Sequence, residues 1–251
     1  VAVVLLPELA RALKSGHMKE AGNLQNRAIE FVLFLTLPAA AAIWVLSDEI
    51  IRVLYERGAF SEQNTAVVAS ILAIYGLGLP GFVLIKALQP GYYAREDTKT
   101  PMRFTMVSVA LNTGLAVTLF PTFEESGIAI AEAAAGWTNT ILLFSVLLWR
   151  GHLVFERSLL TRTLRLMIAS AIMAGLLVYL SARWSAWLSP QSPLVDQVMA
   201  LGGLIVIAMP VYFGVAFAIG GADLGMIRRN LKRKPKSAPG NEAGLSDGDQ
   251  Q

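Results

Sequence analysis

The sequence has 251 residues, of which 55% are hydrophobic and 16% are charged, and its formal net charge at pH 7 is +3. A soluble domain of this length needs more polar surface than this composition provides, whereas a bundle of helices in a bilayer does not, so the composition excludes an ordinary soluble domain. The absence of cysteine excludes a disulfide framework and a thiolate metal site, and the small positive excess does not indicate nucleic-acid binding.

The chain opens on a short apolar run, residues 1–6, and its first residue is not methionine. No basic segment precedes the run and no small-residue cleavage site follows it, which argues against a signal peptide. We interpret residues 1–20 as the end of a longer membrane helix followed by a cytoplasmic loop. We therefore expect the chain to be a fragment that lacks its N-terminal part.

Six long apolar stretches follow, and each is long enough, with its flanking residues, to cross a hydrocarbon core of about 30 Å as a helix. They are residues 31–47, 66–85, 104–123, 126–149, 166–182 and 197–222. The fold class predicted is therefore all-α, a polytopic transmembrane bundle with four helices in residues 21–150 and two more in residues 151–227. The tail, residues 228–251, is predicted to be basic and then disordered, because its composition becomes polar after Pro235.

Lysines and arginines are concentrated in alternate connections between the stretches. They lie before the first stretch, between the second and third, between the fourth and fifth, and after the sixth. Because basic loops stay in the cytoplasm, these connections and both ends of the chain are predicted to be cytoplasmic. The outer connection after the first stretch begins with an amphipathic segment, residues 49–55, which we predict to be a short interfacial helix followed by a turn at Gly58.

Pro38, Pro80 and Pro210 fall inside the predicted spans and are the predicted sites of helix kinks. Proline lacks the backbone N–H and kinks a helix, and groups on neighbouring helices are expected to bind the carbonyl that loses its partner. Residues 76–81 match the dinucleotide fingerprint G-x-G-x-x-G, but no strand precedes them. We therefore attribute these glycines to close packing between helices.

The connection between the second and third stretches is the most distinctive polar segment of the chain. Arg95, Asp97 and Lys99 supply its charge. Thr100 followed by Pro101 predicts that Thr100 caps the next helix and that Pro101 is its first residue.

Four charged side chains in or beside the spans are candidate site residues, because charge inside a bilayer is costly unless it is paired or faces water. Lys86 either snorkels to the headgroups or lines a cavity for an anionic ligand. Glu132 either reaches the outer water or binds a cation or a proton in a cavity. Arg27 and Glu30, three residues apart on one helix face, either form a surface salt bridge or line the cavity.

The sequence shows no nucleophile paired with a base, no cluster of metal ligands and no phosphate-loop lysine. It therefore predicts no catalytic residue, no metal and no cofactor, and a protein that is not an enzyme.

Several motifs, in their order and spacing, resemble those of the MurJ/MviN family of lipid II flippases. They are Val4-Leu5-Leu6-Pro7-Glu8-Leu9, Leu35-Thr36-Leu37-Pro38, Lys86 and residues 89–101, above all Lys99-Thr100-Pro101. The resemblance extends over nearly the whole chain up to the polar tail.

The resemblance implies a protein of fourteen transmembrane helices in the multidrug/oligosaccharidyl-lipid/polysaccharide exporter superfamily, with two lobes around a cationic cavity. The first four stretches then correspond to helices nine to twelve, in a MATE-like second lobe, and the last two to extra helices that form a hydrophobic groove. The family's main cavity arginines belong to its preceding part, so none of them is carried over to this chain.

The implied function is the movement of lipid II, a polyprenyl-pyrophosphate-linked peptidoglycan precursor, from the inner to the outer leaflet of the bacterial inner membrane by alternating access. The expected partners are lipid II and membrane lipids, without nucleic acid, and the protein is expected to be a monomer. The cavity candidates are then Lys86, Arg27, Glu30 and Glu132. The residues of the cytoplasmic gate are then Arg95, Asp97, Lys99, Thr100 and Pro101.

Three other functions are compatible with parts of the pattern. The first is a flippase for another polyprenyl-linked oligosaccharide. The second is a membrane-embedded enzyme acting on polyprenyl phosphates, which would need acidic, histidine or arginine residues clustered at the headgroup level. The third is a passive membrane scaffold that recruits cell-wall enzymes through its basic loops, and the charges at Lys86 and Glu132 count against it.

Overall fold

The protein is described by a computed structural model that covers residues 2–153 and 157–220. The predicted basic and disordered tail and the end of the sixth stretch lie outside the described residues. The described part folds into six helices: α1 (Ala2–Lys14), α2 (Met18–Tyr55), α3 (Glu62–Tyr93), α4 (Lys99–Trp149), α5 (Arg157–Arg183) and α6 (Leu194–Ala218). All of them except α1 are long and apolar enough to cross a membrane, which confirms the predicted all-α polytopic bundle.

Helix α4 contains two of the predicted spans. Its backbone leaves the helical region at Glu124 (φ 50°, ψ −131°), between the third and fourth apolar stretches. Residues eight positions apart are separated by about 12 Å along a continuous helix. Here a Cβ added to Gly127 would lie 2.9 Å from the carbonyl carbon and oxygen of Leu119. The chain therefore turns back on itself, and α4 is a hairpin whose first arm comprises residues 99–123 and whose second arm comprises residues 125–149.

Residues 49–55 are helical, as predicted, but they do not form a short helix of their own, because α2 continues without a break to Tyr55. The buried side chains of Leu46, Ile51 and Val53 continue the apolar face of α2 through this segment. Because this face stays packed against the bundle, the helix continues past the predicted membrane boundary.

Hydrogen bonds and ion pairs between helices show which helices are neighbours and whether they run parallel or antiparallel. Gln25 near the start of α2 donates to the carbonyl of Ala87 near the end of α3, so these two helices are antiparallel. The second arm of α4 runs parallel to α3, because the bonded pairs 75/132, 77/137 and 81/140 advance together along both helices. Helices α5 and α6 form an antiparallel pair beside α2, since Arg165 near the start of α5 donates to the carbonyl of Gly220 just after α6. This arrangement brings the basic connections together at one end of the bundle, here called the basic end, and the other connections at the opposite end.

One large apolar core joins α2, α3, the second arm of α4, α5 and α6. A smaller cluster packs α1 against the start of α2 and the end of α3 through Leu5, Leu9, Ala28 and Ala94. The first arm of α4 differs from the rest, since Pro101 and Ser108 are its only buried residues. Most of its surface is therefore available to lipid or to other protein.

Glycines and prolines shape the contacts between these helices. A Cβ added to Gly76 would lie 2.8 Å from Cγ2 of Ile43 in α2, and one added to Gly81 would lie 3.2 Å from the ring of Trp137 in the second arm of α4. The glycines of the G-x-G-x-x-G segment therefore serve close helix packing, as predicted.

Near Pro80, the indole N–H of Trp137 donates to the carbonyl of Leu77 over 3.1 Å. Pro38 lies inside α2, and the hydroxyl of Tyr212 donates to the carbonyl of Phe34, which precedes Pro38 by one turn. Binding of a proline-exposed carbonyl by a neighbouring helix is thus confirmed at Pro38. Pro210 lies inside α6.

Candidate functional site

The α3–α4 connection is tied to the far end of α4 by Asp97. One oxygen of the Asp97 carboxylate accepts from the backbone N–H of Thr100 at 3.0 Å, and the other accepts from the Thr100 hydroxyl at 2.7 Å. The same second oxygen forms an ion pair with Arg150, 53 residues along the chain, at 2.6 Å. These three side chains, Asp97, Thr100 and Arg150, form what is here called the latch.

The prediction that Thr100 caps α4 and that Pro101 is its first residue is wrong. Helix α4 begins at Lys99, so Thr100 and Pro101 both lie in its first turn, and Asp97 supplies the capping oxygen. A carboxylate at a helix N-terminus is further stabilised by the helix dipole. The hydroxyl of Thr100, the backbone N–H of Thr100 and the guanidinium of Arg150 together lower the pKa of Asp97 to about 2, and the carboxyl is ionised at neutral pH.

Arg95 connects the same loop to the segment that follows α4. Its guanidinium donates to the carbonyl of Gly91 at 2.6 Å and to the carbonyl of His152 at 3.4 Å. Burial lowers the pKa of Arg95. Burial, followed by the charges of Arg95 and Arg150, lowers the pKa of His152, so its imidazole is neutral at physiological pH. The two connections at the basic end are therefore held together by Arg95 as well as by the latch.

A groove of about 510 Å³ lies beside this cluster, between the end of α3 and the start of α4. Its lining is Tyr93, Thr98, Pro101, Met102, Thr105 and Met106. Pro101 is buried there, while Lys99 points to the surface as the first residue of α4. Lys99 and Pro101, two of the five predicted gate residues, thus have different environments.

Arg27 and Glu30 do not form the predicted salt bridge with each other. Glu30 instead accepts from Arg162 of α5 at 2.8 Å, and Arg27 is exposed. The i,i+3 spacing permits the local pair, but Glu30 lies on the face of α2 that packs against α5. The pair that forms therefore joins two helices, and it anchors the α5–α6 pair to α2 at the basic end.

Lys86 and Glu132 lie apart. Lys86 is exposed on α3, and within the described residues it makes no ion pair. Glu132 is exposed on the second arm of α4 and accepts from the hydroxyl of Tyr75 at 2.7 Å. Tyr75 precedes Lys86 by 11 residues, which is about 16 Å along the helix. The two charges therefore belong to different levels of the bundle.

Sequence reasoning missed three residues that the structure places at these contacts: Arg150, Arg162 and Tyr212. In the sequence, Arg150 and Arg162 are two of several basic residues in one cytoplasmic connection. Tyr212 lies in an apolar stretch without a polar pattern. Their partners are distant in sequence, so no local spacing could have revealed the pairs.

Long apolar helices, a carbonyl freed by Pro38 and bound by a neighbouring helix, and charge gathered at the connections define a multi-pass helical membrane protein. A family model described as lipid II flippase MurJ matches residues 1–196. The chain belongs to the lipid II flippase MurJ family, and it is accordingly a multi-pass protein of the bacterial inner membrane. The family resemblance predicted from the motifs is thus confirmed.

Individual relatives agree with this assignment. The chain is 64% identical, over 99% of its length, to a probable lipid II flippase MurJ of Rhizobium tropici, of which it covers 46%. It is 61% identical over 93% of its length to a probable lipid II flippase MurJ of Rhizobium meliloti strain 1021, of which it covers 44%. The chain thus spans less than half the length of these relatives.

A solved structure supports the fold. Lipid II flippase MurJ in an inward closed conformation superimposes with a TM-score of 0.66 at 24% identity, over 93% of this chain and 43% of that chain. This likeness concerns the arrangement of the helices.

Proposed function

We propose that the protein containing this chain moves lipid II from the inner to the outer leaflet of the inner membrane by alternating access. The observation that carries the proposal is the 64% identity, along nearly the whole chain, to a protein named a probable lipid II flippase. We propose further that it acts as a monomeric transporter and not as an enzyme.

The chemistry of lipid II fits the distribution of polar groups. Its pyrophosphate and saccharide–peptide head need a wet, cationic path, because an unpaired charge in hydrocarbon is costly. Its polyprenyl tail needs only an apolar surface. Residues 166–182 and 197–220, in α5 and α6, contain no lysine, arginine, aspartate or glutamate, which suits a groove for the tail.

In this proposal the basic end faces the cytoplasm, and the latch closes the cytoplasmic mouth of this part of the protein. The latch joins both connections of the α4 hairpin, so α3 and the two arms of α4 would move as one body. The groove beside Pro101 would then widen or narrow as this body moves against the rest of the protein.

Lys86 is proposed to contact the pyrophosphate. It is exposed, and it lies seven residues before Tyr93, so both side chains share one face of α3 at the basic end. Lys86→Ala is expected to reduce complementation of a flippase-depleted strain at least about tenfold, which corresponds to the loss of one charge-assisted contact. Lys86→Arg should retain most of the activity, because it keeps the charge.

Growth is to be scored at equal protein level, with Lys19→Ala as the control, since Lys19 is exposed outside the spans. Normal growth of the Lys86→Ala strain would remove Lys86 from the site.

Glu132 is proposed to bind a cation or a proton in a cavity open to the opposite end. Its support is the hydrogen bond from Tyr75, together with a second polar contact nearby, between the hydroxyls of Ser70 and Ser126 at 3.0 Å. These four side chains form a polar row across α3 and the second arm of α4. Such a row inside a span is expected to face water or protein.

Glu132→Gln is expected to slow transport several-fold and to flatten its dependence on external pH or cation concentration. Tyr75→Phe should shift that dependence without abolishing it, because it removes only one hydrogen bond to the carboxylate. Glu125→Gln, at the exposed tip of the hairpin, serves as the control. An unchanged ion dependence in Glu132→Gln would refute the role.

The proposed function is tested in a depletion strain carrying the intact protein, by adding an enzyme that cleaves lipid II only from outside the cell. Cleavage should fall on depletion and return with the wild-type gene. If cleavage stays normal while another polyprenyl-linked oligosaccharide accumulates inside, the substrate is that oligosaccharide.

A further inference from the structure

The carbonyl of Phe34 lacks its usual partner, because Pro38 has no N–H to donate to it. The hydroxyl of Tyr212, on α6, donates to this carbonyl over 2.7 Å. Both residues are buried, with 2% of Tyr212 and 9% of Phe34 exposed. Inside the bilayer no water is available to replace the donor, so this carbonyl depends on a side chain from another helix.

The aromatic rings around this bond pack independently of the hydroxyl. The ring centroids of Phe34 and Tyr212 are 5.7 Å apart, and those of Phe34 and Phe213 are 5.6 Å apart. A phenylalanine at position 212 would keep these ring contacts. The hydroxyl therefore serves the carbonyl alone, and its contribution can be separated from that of the ring.

A second contact lies one turn away on the same face of α2. Glu30, four residues before Phe34, binds Arg162 of α5. Both α5 and α6 thus contact α2 in the half that lies between Pro38 and the basic end. The same half of α2 carries Gln25, which donates to the carbonyl of Ala87 in α3 over 2.6 Å.

We infer that Tyr212 is a positioning residue that sets the direction of α2 at Pro38, and that the α5–α6 pair fixes the basic-end half of α2. Through Gln25 this half reaches the end of α3, where the latch begins. The α5–α6 pair is therefore coupled to the connections at the basic end through the half of α2 that precedes Pro38. The inference is independent of which molecule the protein transports.

Substitutions at positions 212 and 38 are expected to have non-additive effects on stability. Tyr212→Phe leaves the carbonyl of Phe34 without a donor as long as residue 38 is proline. Any other residue at position 38 supplies an N–H, and the hydroxyl then becomes redundant. The effect of Tyr212→Phe should therefore depend on residue 38.

The experiment is a double-mutant cycle with Tyr212→Phe and Pro38→Ala in the intact protein, and Pro38→Leu provides a second restoration of the N–H. The first measurement is the apparent Tm in detergent. Tyr212→Phe is expected to lower it by about 3–8 °C in the Pro38 background and by less than about 2 °C when residue 38 is alanine or leucine. Tyr179→Phe is the matched control, because Tyr179 is 63% exposed on α5.

The second measurement is the distance between spin labels at Asn23→Cys and Leu54→Cys, on either side of Pro38. Both positions are exposed and this chain contains no native cysteine, and any cysteine elsewhere in the intact protein is first replaced by serine. The labels would be about 46 Å apart on a straight helix, which is within range of pulsed electron resonance. Tyr212→Phe should broaden or shift this distance distribution, and Tyr179→Phe should not.

Three results would overturn the inference. An equal loss of Tm in both backgrounds would show that the hydroxyl acts elsewhere. No loss of Tm in the Pro38 background would show that the bond contributes nothing. A loss of Tm with an unchanged distance distribution would leave a bond that stabilises the bundle but does not position α2.

Discussion

Gly127→Ala is expected to destabilise the protein, although alanine normally favours a helix over glycine by about 1 kcal/mol. A Cβ at this position would lie 2.9 Å from the carbonyl carbon and oxygen of Leu119. These are backbone atoms, so no change of side-chain rotamer relieves the contact, and the two arms of α4 must separate. Overpacking of this kind costs about 1–3 kcal/mol, and the apparent Tm in detergent should fall by about 3–9 °C.

The control for this substitution lies in the same hairpin. Nothing lies within 4 Å of a Cβ added to Gly114 in the first arm. Gly114→Ala should therefore leave the Tm unchanged or raise it. If the two substitutions had effects of the same sign, the close approach of the arms at Gly127 would be refuted. Gly127→Val should lower the apparent Tm further than Gly127→Ala and reduce the yield of folded protein.

Asp97→Ala is expected to have the second large effect, because one carboxylate serves three donors. Its loss removes the cap of α4 and leaves the guanidinium of Arg150 without its anionic partner. A lost cap costs about 0.5–2 kcal/mol, and a partly exposed ion pair adds less than about 1 kcal/mol. The apparent Tm should fall by about 3–8 °C. Transport should fall as well, if the latch closes the cytoplasmic mouth.

Further variants distinguish the contributions of the cap and of the ion pair. Asp97→Asn keeps an acceptor for the backbone N–H of Thr100 and removes only the charge, so its Tm should lie between those of the wild type and Asp97→Ala. Arg150→Ala combined with Asp97→Ala should cost less than the sum of the two single changes, because both remove the same ion pair. Glu96→Gln removes a charge from the same loop and should change little, since Glu96 is exposed. Additive effects of Asp97→Ala and Arg150→Ala would contradict the latch.

The pH dependence of stability follows from the lowered pKa of Asp97. The folded-state pKa is about 2, against an ordinary value of 3.8. The stabilisation is therefore complete above about pH 4 and is lost as the pH falls through about 2. Between pH 4 and pH 2 the Tm of the wild type should fall more steeply than that of Asp97→Asn. Parallel curves would show that the carboxylate is not stabilised by its partners.

The spans and their connections could be predicted from the sequence because hydrocarbon imposes a local rule. Each span must be apolar over enough residues to cross the bilayer, and this property is visible within a window of about 20 residues. The break between the third and fourth stretches was located correctly for the same reason, since the polar residues Glu124 and Glu125 interrupt the apolar run. The error at residues 49–55 shows the limit of the rule, because tertiary packing along Ile51 and Val53 extended α2 beyond the predicted boundary.

The sequence by itself determined the helices, the end at which basic residues gather and the need for partners at Pro38. Only the tertiary structure decided which partners those are: Tyr212 for the carbonyl of Phe34, Arg162 for Glu30 and Arg150 for Asp97. Whether a segment is apolar enough to span the membrane depends only on residues close together in sequence. The choice of a partner depends on which helix faces come together, and that is set by the shapes of residues far apart in sequence, such as Gly127 against the backbone of Leu119.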